Sequence, residues 1–319
     1  MEQINNVSSS ELRVSKHNPV LLKEVIDFLK PEQRDFFVDG TLDGGGHAAV
    51  ILEKILPEGK FLGIDWDGEM IRRTRERFSA NPNVGARMSK QIFFEQGNYA
   101  DLPKILQNEN FGKADGLLLD LGFSSEQLEN SRRGFGFSKS FGQEPLLMTY
   151  NDSRPPVREI LRSIKEEDLA KIIFDLSGEK FSKRIARAIK ERGRIKPLVT
   201  SGELAETIRA AVPGNYERGR INPATRTFQA LRIYANDELN NLRKVLGDLP
   251  KILNLGGRVA VISFHSLEDK IVKENFREME KSGQVKILTK KPITSSAEEI
   301  ASNPRSRSAK LRAAQFIGL

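Results

Sequence analysis

The first 120 residues alternate short apolar stretches with amphipathic helical ones, and this alternation constrains the fold more than any other feature of the chain. Strands that alternate with helices are typical of a parallel β-sheet with helices on its faces. The predicted strands are Phe36–Asp39, Phe61–Asp65, Ile92–Gln96 and Gly116–Asp120. The predicted helices are Val20–Leu29, His47–Ile55, Gly68–Phe78 and Asp101–Gln107.

The alternation stops after these strands. Residues 130–150 contain glycine, serine and aromatics without a clear period, which indicates a loop, and residues 154–211 show only helical periodicity. The remaining predictions are a helix at Pro223–Leu246 and strands at Arg258–Phe264, Val285–Thr289 and Arg312–Ile317. The pattern therefore predicts an α/β domain interrupted by a helical block.

The composition excludes several classes of site. The 319-residue chain has no cysteine and only three histidines. It therefore lacks disulfides, Fe–S clusters and thiolate zinc sites, and no metal site is expected. Pyrimidine C5 methylation, which requires a cysteine nucleophile, is excluded as well. No apolar run approaches the ~20 residues that span a bilayer, and the N-terminus lacks a secretory signal, so we expect a cytoplasmic protein with no membrane partner.

The positive charge is concentrated in two segments. The net charge is +8, yet Lys180–Arg232 alone carries 13 basic and 4 acidic residues. From Lys286 to the C-terminus there are 7 basic and 2 acidic residues. Such local excess favours a polyanionic partner, although a solvated charged face is the simpler alternative.

A glycine-rich turn follows the first predicted strand. The sequence Gly40-Thr-Leu-Asp-Gly-Gly-Gly-His47 leads into a helix, where backbone N–H groups can approach a ligand. Asp65 ends the next strand and is placed to accept hydrogen bonds from ribose hydroxyls. Each feature alone is explained by a tight turn, but together they indicate a nucleoside ligand. The loop lacks the G-x-G-x-x-G pattern, which disfavours a nicotinamide oxidoreductase and leaves S-adenosylmethionine as the better candidate.

Two further strand ends point to the same crevice. Tyr99 follows the third strand and is placed to pack against adenine, unless it is a core aromatic. Asp120 ends the fourth strand. Because ligands bind at the carboxyl edge of open α/β sheets, we expect these residues to lie around one site.

Six ordered motifs resemble a known family. They are HNPVLL (17–22), VDGTLDGGGH (38–47), LLLDLGFSSEQL (117–128), NPATRTFQALRI (222–233), VISFHSLEDK (261–270) and NPRSRSAKLR (303–312). These stretches are similar to those of the bacterial 16S rRNA cytosine-N4 methyltransferases, the RsmH or MraW family. The resemblance spans nearly the whole chain from His17 onward.

This resemblance implies an α/β fold of class I S-adenosylmethionine-dependent methyltransferase (Rossmann-like) type with an inserted all-helical domain. The implied segments are a disordered tail (1–16), the methyltransferase domain in two parts (17–132 and 223–319) and a helical substrate-binding domain (133–222). The implied cofactor contacts are Gly45, Gly46, His47, Asp65, Tyr99, Asp120 and Gln127. The implied partner is 16S rRNA within the small ribosomal subunit or a late assembly intermediate, bound by a monomer or homodimer.

The chain departs from the family pattern at two places. Asp43 replaces a glycine beside the methionine end of the cofactor. The segment QEPLLMTY (143–150) replaces D-G-P-L-D-M-R-M, with loss of an acid at Leu147 and a base at Thr149. The second departure is the only support for an alternative function, a non-catalytic ribosome-assembly protein that retains the fold.

Candidate residues for the chemistry follow from these motifs. Asp120, with the carbonyls of Leu121 and Gly122, is the expected acceptor for the amine protons of the target cytosine. His265 is the second candidate catalytic residue, expected to line the target pocket or orient the base, unless it is only a residue near a helix cap formed by Ser266. The expected substrate contacts are Phe123, Phe135 and Phe137 for base stacking and Arg184, Arg187 and Arg226 for RNA phosphates. The alternatives are core packing for each phenylalanine and an interdomain salt bridge for Arg226.

Overall fold

A seven-stranded sheet forms the centre of one of two compact units in the computed structural model of the protein. The structure describes residues 19–88, 90–122, 132–137, 142–219 and 221–318. The sheet unit comprises Met1–Gly122 and Leu239–Leu319, and the helical unit comprises Phe123–Glu238. The expected tail at residues 1–16 lies outside the described residues.

Parallel pairing joins the first five strands, whereas β7 runs antiparallel to both of its neighbours. The strand order is β3-β2-β1-β4-β5-β7-β6. The strands are β1 (Phe36–Asp39), β2 (Lys60–Asp65), β3 (Ile92–Gln96), β4 (Ala114–Asp120), β5 (Leu253–Ser263), β6 (Val285–Ile287) and β7 (Lys310–Phe316).

The described helices are divided between the two units. They are α1 (Leu22–Leu29), α2 (Gly46–Ile55), α3 (Gly68–Ser79), α4 (Pro82–Gly85), α5 (Leu102–Asn108), α6 (Val157–Ser163), α7 (Glu166–Ser177), α8 (Ser182–Ile195), α9 (Ser201–Ala211), α10 (Ala224–Asn236), α11 (Glu238–Gly247), α12 (Leu249–Ile252), α13 (Ser266–Lys281) and α14 (Ala297–Ser302). Helices α6 to α10 belong to the helical unit.

Both faces of the sheet are buried. Alternate residues of a strand point to opposite faces, and in β4 Leu118 joins one apolar cluster while Leu117 and Leu119 join the other. This double coverage explains why the central strands read as continuous apolar runs. Gly116 is required here, because a Cβ atom at this position would lie 2.0 Å from Cε1 of Phe37.

The helical unit has its own core. Ile185, Leu204 and Ile208 are fully buried and Phe228 is 3% exposed, and these residues belong to one cluster within this unit. Helix α9 begins with a capping box, in which the Thr200 side chain accepts from the Glu203 backbone and the Glu203 side chain accepts from that of Thr200.

Most predicted boundaries lie within two residues of the observed ones, but two elements differ more. The helix predicted at Pro223–Leu246 is two helices, because Asp237 adopts a left-handed conformation (φ 56°) that ends α10. Strand β5 begins five residues before the predicted Arg258, and it passes through a register irregularity opposite residues 114–116 of β4. Within the described part of the chain, no helix has both the length and the apolar character needed to cross a bilayer.

Candidate active site

The carboxyl ends of β1, β2 and β4 carry three aspartates. Asp39 and Asp65 are 2% and 7% exposed, and the side chain of Asp120 is 21% exposed. Because the three strands are neighbours and parallel, their last residues lie at one edge of the sheet, where open α/β folds bind ligands.

The glycine-rich turn has no room for larger residues at two positions. Gly45 has φ +67°, and a Cβ atom there would lie 2.7 Å from Nη2 of Arg77. A Cβ atom at Gly46 would lie 2.6 Å from Cγ of Pro19. At Gly44, by contrast, a Cβ atom would have no neighbour within 4 Å, so this part of the backbone faces open space that a ligand can enter.

Asp65 is held by backbone donors. Its Oδ2 accepts from Asp43 N (2.8 Å) and its Oδ1 accepts from Asp67 N (2.8 Å). Burial, reinforced by the charge of Asp43, raises the pKa of Asp65 to about 8 despite these hydrogen bonds. Each carboxyl oxygen retains a lone pair for a further donor, as a pair of ribose hydroxyls requires.

Asp43 adopts a conformation that favours glycine. Its φ is +46°, in the left-handed region, which gives a physical reason for the glycine that the family pattern has at this position. Its carbonyl accepts a hydrogen bond from Thr74 Oγ1 (2.9 Å), so the turn is fixed to α3.

Asp120 lies between a hydroxyl and a glycine turn. Its backbone N–H donates to Thr41 Oγ1 (2.6 Å), and its Oδ1 accepts from Gly122 N (3.2 Å). Burial raises the pKa of Asp120 to about 7, and the nearby Glu268 adds to the increase. The hydroxyl of Thr41 thus links the turn after β1 to the end of β4. The sequence analysis did not predict Thr41 as a site residue, and the only sequence feature that marks it is its position two residues after the end of β1.

His47 faces Asp120. Its Nε2 lies 3.0 Å from the carbonyl oxygen of Val20, so this nitrogen carries the proton and donates. Nδ1 lies 3.7 Å from Asp120 Oδ2. Burial lowers the pKa of His47 to about 4, so the ring is neutral near pH 7.

Tyr99 and His265 also belong to the sheet unit. Tyr99 is half-buried and begins a short 3₁₀ helix after β3. It lies close to Gly40, the residue that follows β1, because a Cβ atom built on Gly40 would be 3.2 Å from the Cβ atom of Tyr99. His265, rather than Ser266, is the N-cap of α13: its Nδ1 accepts from Glu268 N (3.4 Å). Its Nε2 lies 3.0 Å from Glu268 Oε1.

The expected substrate contacts that the structure describes lie in the helical unit. Phe135 is 6% exposed and stacks obliquely on Tyr150 (5.6 Å), and Phe137 packs edge-on against Phe228 (4.9 Å). Both rings therefore belong to the core of this unit, which leaves Phe135 little surface for a base. Phe123 and Gln127 lie outside the described residues.

The three expected phosphate contacts have different surroundings. Arg184 is exposed, and Arg187 is 69% exposed and lies 3.5 Å from a carboxylate of Glu166. Arg226 donates to Glu217 (2.7 Å) and lies 3.9 Å from the buried Glu179. The ion pairs of Arg226 are thus within one unit.

The segment that departs from the family pattern is packed into the helical unit. Leu146, Met148 and Thr149 are buried. Arg133 donates to both the carbonyl and the hydroxyl oxygen of Thr149. The residues at 146–149 therefore serve the packing of this unit.

Buried carboxyl groups give the edge of the sheet its chemical character. Asp39, like Asp65 and Asp120, has a pKa raised by burial, to about 7, and the charges of Asp120 and Asp43 contribute. Such a group of acids favours a cationic ligand and disfavours the pyrophosphate of a dinucleotide.

Comparison with known proteins identifies the family. Residues 14–317 match the model of the MraW methylase family. A protein of Coprothermobacter proteolyticus is 44% identical over 298 residues (93% of this chain and 95% of its own length), and one of Syntrophus aciditrophicus is 40% identical over 323 residues (96% and 99%). Both are named "Ribosomal RNA small subunit methyltransferase H". The strand order, with an antiparallel seventh strand inserted between β5 and β6, is that of class I S-adenosylmethionine-dependent methyltransferases. The chain belongs to the MraW methylase family.

Proposed function

We propose that this protein transfers a methyl group from S-adenosylmethionine to the N4 amine of a decoding-centre cytosine in 16S rRNA. The observation that carries the proposal is the group of aspartates around the glycine turn, of which Asp39 and Asp65 are buried and Asp120 is partly exposed, in a chain of the MraW methylase family. The names of the relatives support the small-subunit rRNA as substrate.

The residues at the sheet edge fit this cofactor. Its methyl group, attached to a positively charged sulfur, is the electrophile of the reaction. The open space beside the backbone at Gly44 can take the cofactor, and Asp65 would hold the ribose hydroxyls of the cofactor. The cofactor contacts are proposed to be Gly45, Gly46, His47, Asp65, Tyr99, Asp120 and Gln127.

Asp120 is the proposed proton acceptor. The cytosine amine is a poor nucleophile, because its lone pair is delocalised into the ring, and a carboxylate that accepts its N–H strengthens it. A pKa of about 7 keeps a large fraction of Asp120 ionised near neutral pH while making it a competent base. His47 cannot donate to Asp120 from Nδ1, since its proton is on Nε2. Asp120 is thus left free to take the proton.

The helical domain at 133–222 is proposed to bind the RNA, with Arg184 and Arg187 as phosphate contacts. The proposed substrate is the small subunit or a late assembly intermediate in the cytoplasm, and the protein acts as a monomer or homodimer. The target base must leave its stack to reach the site, which costs a few kcal/mol.

The proposal is tested by incubating the protein with 30S subunits and labelled S-adenosylmethionine, followed by digestion to nucleosides and mass spectrometry. We expect N4-methylcytidine, and Asp120→Ala should abolish it. Detection of 5-methylcytidine, a 2′-O-methyl nucleoside or methyladenosine would reject the assignment of the atom. No product at all would favour the assembly protein without catalysis.

A further inference from the structure

A cavity of about 250 Å³ opens in the helical unit beside α6 and α8. Four cationic side chains line it, namely Arg158, Arg162, Lys190 and Arg194, and no acidic side chain does so among the described residues. A concave site with this charge excess attracts an anion.

Lys190 is already bound within the protein. Its Nζ donates to the carbonyl oxygens of Leu161 (2.8 Å), Arg162 (3.2 Å) and Ile164 (2.6 Å) at the end of α6. It thereby satisfies carbonyls that have no partner in the helix and fixes one positive charge in the wall of the cavity.

The three arginines differ from Lys190. The guanidinium groups of Arg158, Arg162 and Arg194 make no hydrogen bond or ion pair with any residue that the structure describes. Arg158 and Arg162 are four residues apart and so lie on the same face of α6. Burial lowers the pKa of Lys190, and the positive charge of Arg194 lowers it further, so the Arg194 guanidinium lies near the Lys190 ammonium. These guanidinium groups are available for a phosphate.

The floor of the cavity is apolar. Leu161, Ile189 and Leu198 are 5%, 2% and 4% exposed and line it together with Pro197. An inorganic ion gains nothing from such a floor, whereas a nucleobase can pack on it while its phosphate reaches the arginines.

We propose that this cavity binds one unstacked nucleotide of single-stranded RNA, with its phosphate on Arg158, Arg162 and Arg194 and its base on the apolar floor. The proposal rests on the RNA substrate proposed above and adds a binding site for a nucleotide other than the methylated one. The base of a duplex, which is paired and stacked, cannot enter.

The first test removes the charge. Arg158, Arg162 and Arg194 are replaced together by glutamine, and binding of a labelled 12-nucleotide single-stranded RNA is measured by anisotropy at several salt concentrations. The magnitude of the slope of log K against log salt should fall by about 2, because each of the three phosphate contacts that are lost contributes roughly 0.7. The control replaces Lys60, Lys104 and Lys113, which are exposed in the sheet unit and lie outside the cavity, and it should leave the slope unchanged.

The second test fills the cavity without changing the charge. A Cβ atom at Gly193, within α8, meets nothing within 4 Å, so Gly193→Leu can be accommodated in the helix, and because Gly193 lines the cavity we expect the added side chain to occupy it. It should weaken single-stranded RNA binding about tenfold, an effect comparable to the loss of one stacked base. Gly193→Ala should bind as the wild type does, and duplex RNA should bind both variants equally.

The outcomes separate the possible ligands. If the arginine variant loses affinity but Gly193→Leu does not, the cavity takes a phosphate alone and the nucleotide assignment is overturned. If all variants bind RNA normally while the wild type methylates 30S subunits, the cavity proposal fails and the proposed function stands. If the wild type transfers no methyl group but the variants lose RNA binding as expected, the proposed function fails and the cavity assignment stands.

Discussion

At the scale of single residues, charge is the dominant feature of the site. Asp39, Asp65 and Asp120 all have a pKa raised by burial, so they hold protons at a pH at which exposed carboxyl groups are ionised. A cation bound among them would reverse this preference, because an opposite charge stabilises the ionised form. Cofactor binding and carboxyl ionisation are therefore coupled.

Asp65 should contribute directly to the affinity for the cofactor. We predict that Asp65→Ala weakens S-adenosylmethionine binding by about 1.5–3 kcal/mol, the range for hydrogen bonds to charged groups. Because the pKa of Asp65 is about 8, wild-type binding should strengthen as the pH rises from 6 to 9, and the variant should lose the part of this dependence that lies around pH 8, keeping the part due to Asp39 and Asp120 near pH 7. Titration calorimetry measures both effects, and unchanged affinity in a folded Asp65→Ala protein would remove Asp65 from the site.

Asp43 should reduce stability through both its backbone and its charge. The folded-state pKa of Asp65 lies above that of the unfolded chain, so the cofactor-free protein loses stability as the pH rises from about 4 to 8, and Asp43 increases that loss. Asp43→Gly should therefore gain about 1 kcal/mol at pH 8, with less gain at pH 6. Asp43→Asn, which removes the charge alone, should reduce the pH dependence without the backbone gain. Urea unfolding at the two pH values distinguishes these contributions, and equal gains for Asp43→Gly at both would exclude the charge.

At the scale of elements, the sequence predicts those strands and helices whose bounds are set by a local pattern of residues. Strands β1 to β4 are found within two residues of their predicted bounds, because each is an apolar run closed by an aspartate or a polar turn. The position of β7 between β5 and β6 follows from the family resemblance and from no local pattern, since pairing of distant strands depends on the whole sheet. For the site, strand ends indicated Asp65 and Asp120. Burial, which raises the pKa of Asp39, depends on tertiary packing and has no sequence signal.

The first turn of α13 should depend on His265. Because both ring nitrogens face Glu268, we assign this residue to capping the helix beside Asp120. His265→Ala should cost about 0.5–1 kcal/mol of stability, whereas His265→Asn, which restores a capping acceptor, should be stable and retain methyl transfer. Thermal unfolding and methylation of 30S subunits are the measurements. A stable asparagine variant without activity would instead place His265 in the target pocket.

At the scale of the whole molecule, the two kinds of charge proposed to bind the two ligands have different exposure to solvent. Asp39 and Asp65 at the sheet edge are buried, whereas Lys183, Arg184 and Arg187 of α8 are exposed, and the chain as a whole is strongly basic. Salt screens exposed charges much more than buried ones. Methylation of RNA by this protein should therefore be far more sensitive to salt than its binding of the cofactor.

The exposed face of α8 provides the last prediction. Replacing Lys183, Arg184 and Arg187 by glutamine should reduce the salt slope of single-stranded RNA binding by roughly 0.7 for each phosphate that is no longer neutralised. The reduction from Arg187 should be the smallest, because Glu166 already neutralises part of its charge. The affinity for S-adenosylmethionine should not change. The control replaces the same number of exposed cations at or near the amino ends of the strands and in α5, namely Lys60, Lys104 and Lys113. If both triple variants reduce the slope equally, RNA responds only to the net charge of the protein; if neither does, the α8 face is not in contact with RNA.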